Sequence, residues 1–229
     1  MRRPRQIQHY GKYALLLDWE QKIDPDINSS VHLYADTIQK HPAVIECIPA
    51  YCSLLVTFDQ TQVNHFTLRE WIYDMPLTGT REGKGKHHDI PVVYGGEFGP
   101  DLLAVTQFTG LSEKRIIALH TSLSYRVYQL GYQPGFAFMG LTNPALEVPR
   151  RPSPRVRVAP GSVGIAGRQT GIYPHEAPGG WQLIGRTPRR VWQSSGAPNT
   201  LFRAGDTVRF YAIPATNWEQ ELTNTKQVG

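Results

Sequence analysis

The chain has 229 residues, of which 40% are hydrophobic and 19% charged, with a formal net charge of +5. That composition excludes intrinsic disorder, and without a run of about 18 apolar residues nothing reads as a transmembrane helix, so no membrane partner is expected. Lys and Arg are scattered rather than gathered beside aromatics, which argues against nucleic acid.

The basic start MRRPRQIQHYGK lacks the apolar core of a secretory signal, so a cytoplasmic chain is expected. KYALLLDW (Lys12 to Trp19) has strand length. Asp24 and Pro25 form an N-cap followed by proline at the first helical position. Ile27, Val31, Tyr34, Ala35 and Ile38 then recur at helical spacing, and His41-Pro42 ends that helix. AVIECI (Ala43 to Ile48) and CSLLVTF (Cys52 to Phe58) are strands. Cys47 and Cys52 flank their turn and are expected to be reduced thiols. Leu68, Trp71, Ile72 and Met75 mark one face of a second helix, TGTREGKGKHHD (Thr78 to Asp89) a mobile polar loop, and IPVVYG (Ile90 to Gly95) another strand. The order β-α-β-β-α-β predicts a ferredoxin-like α/β domain over residues 1–90.

After Gly95, Asp101 and Ser112 are positioned to cap two short helices. No helix fits from Gly131 to Thr187, which holds ten of the 21 glycines and eight of the 18 prolines. Short apolar pieces between turns, and then TLFRAGDTVRFYAI, predict a β-barrel or sandwich over residues 91–229, so the fold class is α+β. The basic residues also change in kind. Up to Lys114 there are six Lys and five Arg, and beyond it twelve Arg and one Lys. Arginine makes planar, bidentate pairs with carboxylates and phosphates and keeps its charge when partly buried.

Several familiar sites are ruled out by spacing. GTREGKGK is not a phosphate-binding P-loop, and PGSVG is not a nucleophile elbow. His87-His88-Asp89 point to alternating faces of an extended chain, so a solvated loop accounts for them better than a metal does, and no metal site is read. What remains is spread over ninety residues. YGGEFGPDL puts Glu97 and Asp101 around a glycine-rich turn, and His120 closes the helix begun at Ser112. PRRPSPRVRVAPGS holds Arg150, Arg151, Arg155 and Arg157 between prolines that stiffen the backbone. Arg155 and Arg157, two apart, should share a face. Gln169, Tyr173, PGGW with Trp181, and Arg186 follow. The uncharged GYQPGFAFMGL, with Tyr132, Pro134 and Phe136, reads as an exposed aromatic surface suited to a protein neighbour.

The blocks YGGEFGPDL, LHTSLSYRVYQLGYQPGFAFMGL, VPRRPSPRVRVAPGSVGIAGRQTGIYPHEAPGGWQLIGRTP and AGDTVRFYAI resemble the signature of the carboxyltransferase subunit-1 family. That family includes the B component of 5-oxoprolinase, the kinase inhibitor KipI and allophanate hydrolase subunit 1. The resemblance implies a ferredoxin-like domain followed by a cyclophilin-like barrel. It also implies partners: a subunit 2 (the C component) with its own cyclophilin-like barrel, and a LamB/YcsF-type protein (the A component). Together they would form an ATP-dependent 5-oxoprolinase that opens 5-oxo-L-proline to L-glutamate. ATP, with Mg, would be held by the complex and not necessarily by this chain. The family more commonly has Phe at position 132 and Tyr at 138, so no hydrogen-bonding role carries over to either. On this reading Glu97, Asp101 and His120 are the catalytic candidates. Arg155, Gln169, Tyr173 and Arg186 are the substrate-binding candidates. Tyr132, Pro134, Phe136, Arg150, Arg151 and Trp181 would meet the partner. The alternatives are a KipI-like inhibitor of a sensor histidine kinase, or subunit 1 of a urea carboxylase/allophanate hydrolase-type system.

Overall fold

A computed structural model describes residues 2–77, 85–193 and 199–226. The chain divides into two compact units, Met1–Lys84 and Gly85–Gly229.

The first unit contains β1 (Gln6–His9), β2 (Ala14–Asp18), α1 (Pro25–Ile38), β3 (Val44–Pro49), β4 (Ser53–Phe58) and α2 (His65–Asp74). Its four strands form one antiparallel sheet in the order β1-β2-β4-β3. Helix α1 starts where expected: the Asp24 carboxylate accepts from the backbone N–H groups of Asp26 and Ile27, and Pro25 opens the first turn. Asn64 caps α2 in the same way. Ile27, Val31, Tyr34 and Ile38 of α1 pack with Leu68 and Ile72 of α2 and with Leu15, Leu17, Leu54 and Val56 of the sheet. Cys47 and Cys52 are free thiols, and burial drives the Cys47 thiol up to about 12.

The second unit contains β5 (His87–Tyr94), α3 (Leu102–Thr109), α4 (Glu113–Thr121), β6 (Ser124–Leu130), β7 (Ala137–Gly140), β8 (Arg155–Val158), β9 (Ser162–Ala166), β10 (Gln169–Ile172), β11 (Ala177–Gly179), β12 (Gln182–Arg186), β13 (Trp192–Gln193), β14 (Asn199–Thr200), β15 (Thr207–Ala212) and α5 (Trp218–Lys226). Strands β10-β7-β6-β15-β5-β12-β9 close into a barrel in that order. The β15–β5 pair is parallel and the other pairs are antiparallel. Ile90, Val92, Tyr125, Val127, Met139, Val163, Ile165, Val208 and Phe210 belong to its core, to which α3 and α4 add Leu102, Val105 and Ile116. Outside the closed sheet, β8 and β11 make a two-stranded ribbon over a second, aromatic cluster of Phe136, Tyr173 and Trp181.

Two expectations need correction. The Ile90–Gly95 segment is not a strand of the first unit. Ile90, Pro91, Val92 and Val93 are buried in succession, and the strand pairs in parallel with β15 from the end of the chain. The sheet of the first unit is completed by β1 instead. Nor are His87, His88 and Asp89 a solvated loop, because they begin β5. His88 Nε2 sits 3.0 Å from the carboxylate of Asp206, both largely buried, while His87 pairs with Thr207. Residues 78–84 of that expected loop lie outside the described residues.

Candidate functional site

The connection from β6 to β7 is a tight turn. Phe136 donates to the Gln133 carbonyl at 3.1 Å, and Gly131 donates to the Phe136 carbonyl at 3.1 Å. The geometry leaves no room for side chains at one point: a Cβ on Gly135, whose φ is 81°, would lie 2.6 Å from Trp192. Tyr132 is the non-glycine residue with positive φ, 70°, among the described residues. That conformation costs an L-residue about 1 kcal/mol or more. The cost is offset by a contact across the site, where the Tyr132 hydroxyl donates to the carbonyl of Pro178 in β11.

Below that bridge lies a cavity of about 230 Å³. One wall is the aromatic cluster, with Phe136 edge-on to Phe138 at 4.8 Å, to Tyr173 at 5.3 Å and to Trp181 at 5.6 Å. Such edge-to-face contacts each add about 0.5–1.5 kcal/mol beyond area burial and hold the rings in one arrangement. Pro178, Gly179 and Gly180 form a second wall, and Pro154 and Arg150 a third. Burial raises the Tyr173 hydroxyl above its ordinary range; a backbone hydrogen bond from Trp181 and the charges of Arg150 and Arg155 pull the other way.

The proline-stiffened arginines are not a uniform track. Asp101 is 3% exposed and gathers two of them. Its carboxylate accepts from Arg155 Nη1 and Nη2 at 2.8 and 2.7 Å, from Arg151 Nη1 at 2.8 Å and from the Leu183 N–H at 2.7 Å. Arg155, expected to hold substrate, is therefore committed to a bidentate structural pair, and Arg151 is turned inward rather than toward a neighbour. Asp101, expected to carry protons, is fully engaged, and its side chain does not cap α3. Arg157 points elsewhere, 79% exposed and 3.6 Å from Glu176. Arg150 alone of the four is exposed and, among the described residues, without an ion pair, and it lines the cavity.

His120, the third catalytic candidate, is fully buried in the barrel unit. The Thr170 hydroxyl donates to the Gly164 carbonyl at 3.0 Å, so it accepts from His120 Nε2–H at 2.9 Å. Nδ1 must then accept from the Tyr94 hydroxyl at 2.7 Å, which assigns the tautomer. The ring also stacks on Phe210 at 4.6 Å. Burial lowers the His120 pKa to about 3, so the imidazole is neutral and both its nitrogens are engaged by the fold. Glu97 is exposed on the turn made by Gly95 and Gly96, both at positive φ. Gln169 begins β10 and is partly buried. Arg186 ends β12, where Nε donates to the Pro160 carbonyl at 2.7 Å and the guanidinium lies 5.4 Å from the Trp218 ring. Neither Arg186 nor Gln169 lines the cavity.

The structure therefore unites Tyr132, Phe136, Arg150, Tyr173 and Trp181 around one pocket, but not in the roles expected. Phe136 and Trp181 are 1% and 5% exposed and form walls rather than a partner surface. Tyr132, which lines the cavity, and Pro134 are exposed. Pro154 had not been singled out, Phe138 had been given no role, and the Gly179-Gly180 pair had been noted only within PGGW. The glycines were visible in PGGW, but nothing in the sequence showed which rings they would face.

The carboxyltransferase domain family, subdomain C and D, matches residues 5–202. Over 91% of this chain and 92% of the relative, the sequence is 41% identical to the B component of 5-oxoprolinase from Bacillus subtilis. It is 38% identical to the B component of 5-oxoprolinase from Escherichia coli O157:H7, over 87% of this chain and 92% of that one. Among solved structures, TTHA0988 superposes with a TM-score of 0.78 at 35% identity, covering 88% of this chain; the chain spans 40% of that larger one.

Proposed function

The chain belongs to the carboxyltransferase domain family, subdomain C and D, and on that footing we propose that it is the B component of an ATP-dependent 5-oxoprolinase. With a C component and a LamB/YcsF-type A component it would open 5-oxo-L-proline to L-glutamate in the cytoplasm. The observation that carries this reading is the match along nearly the whole chain to relatives that share one name.

The pocket supports a binding role rather than a chemical one. It offers aromatic side chains and one cation, and among the described residues no carboxylate or imidazole lines it. The fully engaged Asp101 and the neutral, buried His120 do not supply a general acid or base to the cavity. The residues also do not fit Mg–ATP. Among the described residues no group of three or more His, Cys, Asp or Glu could hold a metal ion. ATP and its metal are read as held by the complex, with no residue of this chain assigned to them. No helix among the described residues is long and apolar enough to cross a membrane.

The test is to purify the chain with its two partners and follow 5-oxoproline-dependent phosphate release and glutamate formation, omitting each component in turn. The complete assembly should turn over and this chain alone should not. Absence of glutamate from the complete assembly, or turnover by the single chain, would overturn the reading.

A further inference from the structure

We propose that the cavity beneath Tyr132 seats a flat five-membered ring bearing a carboxylate, and that Arg150 holds the carboxylate. The identity of the ring rests on the 5-oxoprolinase reading. The place and the anchor rest on the geometry.

Size comes first. Pockets for drug-sized ligands run from about 300 to 1,000 Å³, and this one, at about 230 Å³, suits a smaller metabolite. Its walls narrow the class further. Phe138 and Trp181 both line the cavity, and their mutual edge packing, 5.9 Å between centroids, holds the two rings in one arrangement. Rigid aromatic faces favour a flat guest, which buries its apolar area at little cost in conformational freedom.

Charge selects the rest of the guest. Two guanidiniums, Arg151 and Arg155, share the single carboxylate of Asp101, which leaves an excess positive charge beside Pro154 on the cavity wall. Arg150 adds a second cation with no ion pair of its own among the described residues. It is near enough to Tyr173 to pull down its hydroxyl pKa. A guanidinium fork matches a carboxylate in two parallel hydrogen bonds, so an anion on the ring is the complementary feature. The strained Tyr132, bonded across the opening to Pro178, is the kind of distortion that persists at ligand sites because the surroundings over-determine it.

The assembled complex provides the experiment, with KM and kcat for 5-oxo-L-proline measured for wild type, Arg150→Gln and Arg157→Gln. Losing one charge-assisted pair should raise KM about 10–100-fold in Arg150→Gln, with kcat changed little. Arg157→Gln, an exposed arginine off the cavity, should match wild type. Cyclopentanecarboxylate, a ring with the carboxylate and no amide, should inhibit wild type at least ~10-fold better than 2-pyrrolidinone, the amide without the carboxylate, and this preference should vanish in Arg150→Gln. An unchanged KM in Arg150→Gln, or equal inhibition of wild type by the two compounds, overturns the proposal while leaving the enzyme assignment standing. Should the complex not cleave 5-oxoproline at all, the enzyme assignment fails. The pocket is then judged by titrating the chain itself with cyclopentanecarboxylate: binding that Arg150→Gln abolishes upholds it, and no binding overturns it.

Discussion

The buried imidazole of His120 makes a quantitative demand on stability. In the folded chain its pKa is lowered to about 3 by burial, whereas in the unfolded chain it titrates near 6.5. Below about pH 6.5 the unfolded state therefore binds more protons than the folded state, and stability must fall as pH falls. The slope approaches about 1.4 kcal/mol per pH unit, so acidification from about pH 7.5 to about pH 4.5 should remove about 2–3 kcal/mol through this group alone. For a unit of this size that corresponds to a Tm loss of about 5–10 °C. Other groups titrate over the same range, so the measurement is a difference. His120→Gln keeps one donor and one acceptor for Thr170 and Tyr94 but takes up no proton. The variant should be less stable than wild type near neutral pH, by about 1–3 kcal/mol for imperfect hydrogen bonds, yet its Tm should decline less steeply on acidification. The two curves should converge toward about pH 4.5. Parallel curves for wild type and variant across that range would refute the claim that the imidazole is buried neutral.

Two further perturbations probe the site's supports. Asp101→Ala strands two guanidiniums and the Leu183 N–H; with both arginines partly exposed, thermal denaturation should show a loss of about 2–4 kcal/mol, largely recovered when Arg151 and Arg155 also become Met. A loss below about 0.5 kcal/mol would show that the pairs are surface decoration. Gly179→Ala places a Cβ 2.7 Å from Tyr173 Cζ, whereas on Gly180 the nearest atom is 3.7 Å away, so only the first should distort the pocket. The expected readout is a raised KM for 5-oxoproline and about 1–3 kcal/mol of destabilisation in Gly179→Ala, with Gly180→Ala close to wild type.

What could be read from the sequence divides along a physical line. Signals complete within one segment were legible: Asp24-Pro25 opening α1, its apolar spacing, the cap at Ser112 and the absence of long helix between Gly131 and Thr187, where the structure has only a three-residue 3-10 turn. Strand β1 was not legible, because a four-residue QIQH segment with one buried side chain carries no periodicity. The assignment of β5 failed for the complementary reason. A strand buried at four successive positions looks alike in an open sheet and in a barrel, and its parallel partner β15 lies more than a hundred residues away.

The same distinction governs the site. Arginine's habit of pairing with carboxylates singled out the run from Arg150 to Arg157, but the habit does not say whose carboxylate. Two of the four found theirs inside the fold, on Asp101, a residue whose position before a short helix made a cap the natural reading. That internal pairing also decides where an external anion can go. Arg151 and Arg155 cannot leave Asp101 without exposing a buried, four-times-bonded carboxylate, which is costly. Arg150 has no such obligation among the described residues. Selection of an incoming anion therefore falls to the one arginine of the cluster whose charge the fold has not already used, and the proline-held backbone on either side keeps it at the mouth of the aromatic pocket.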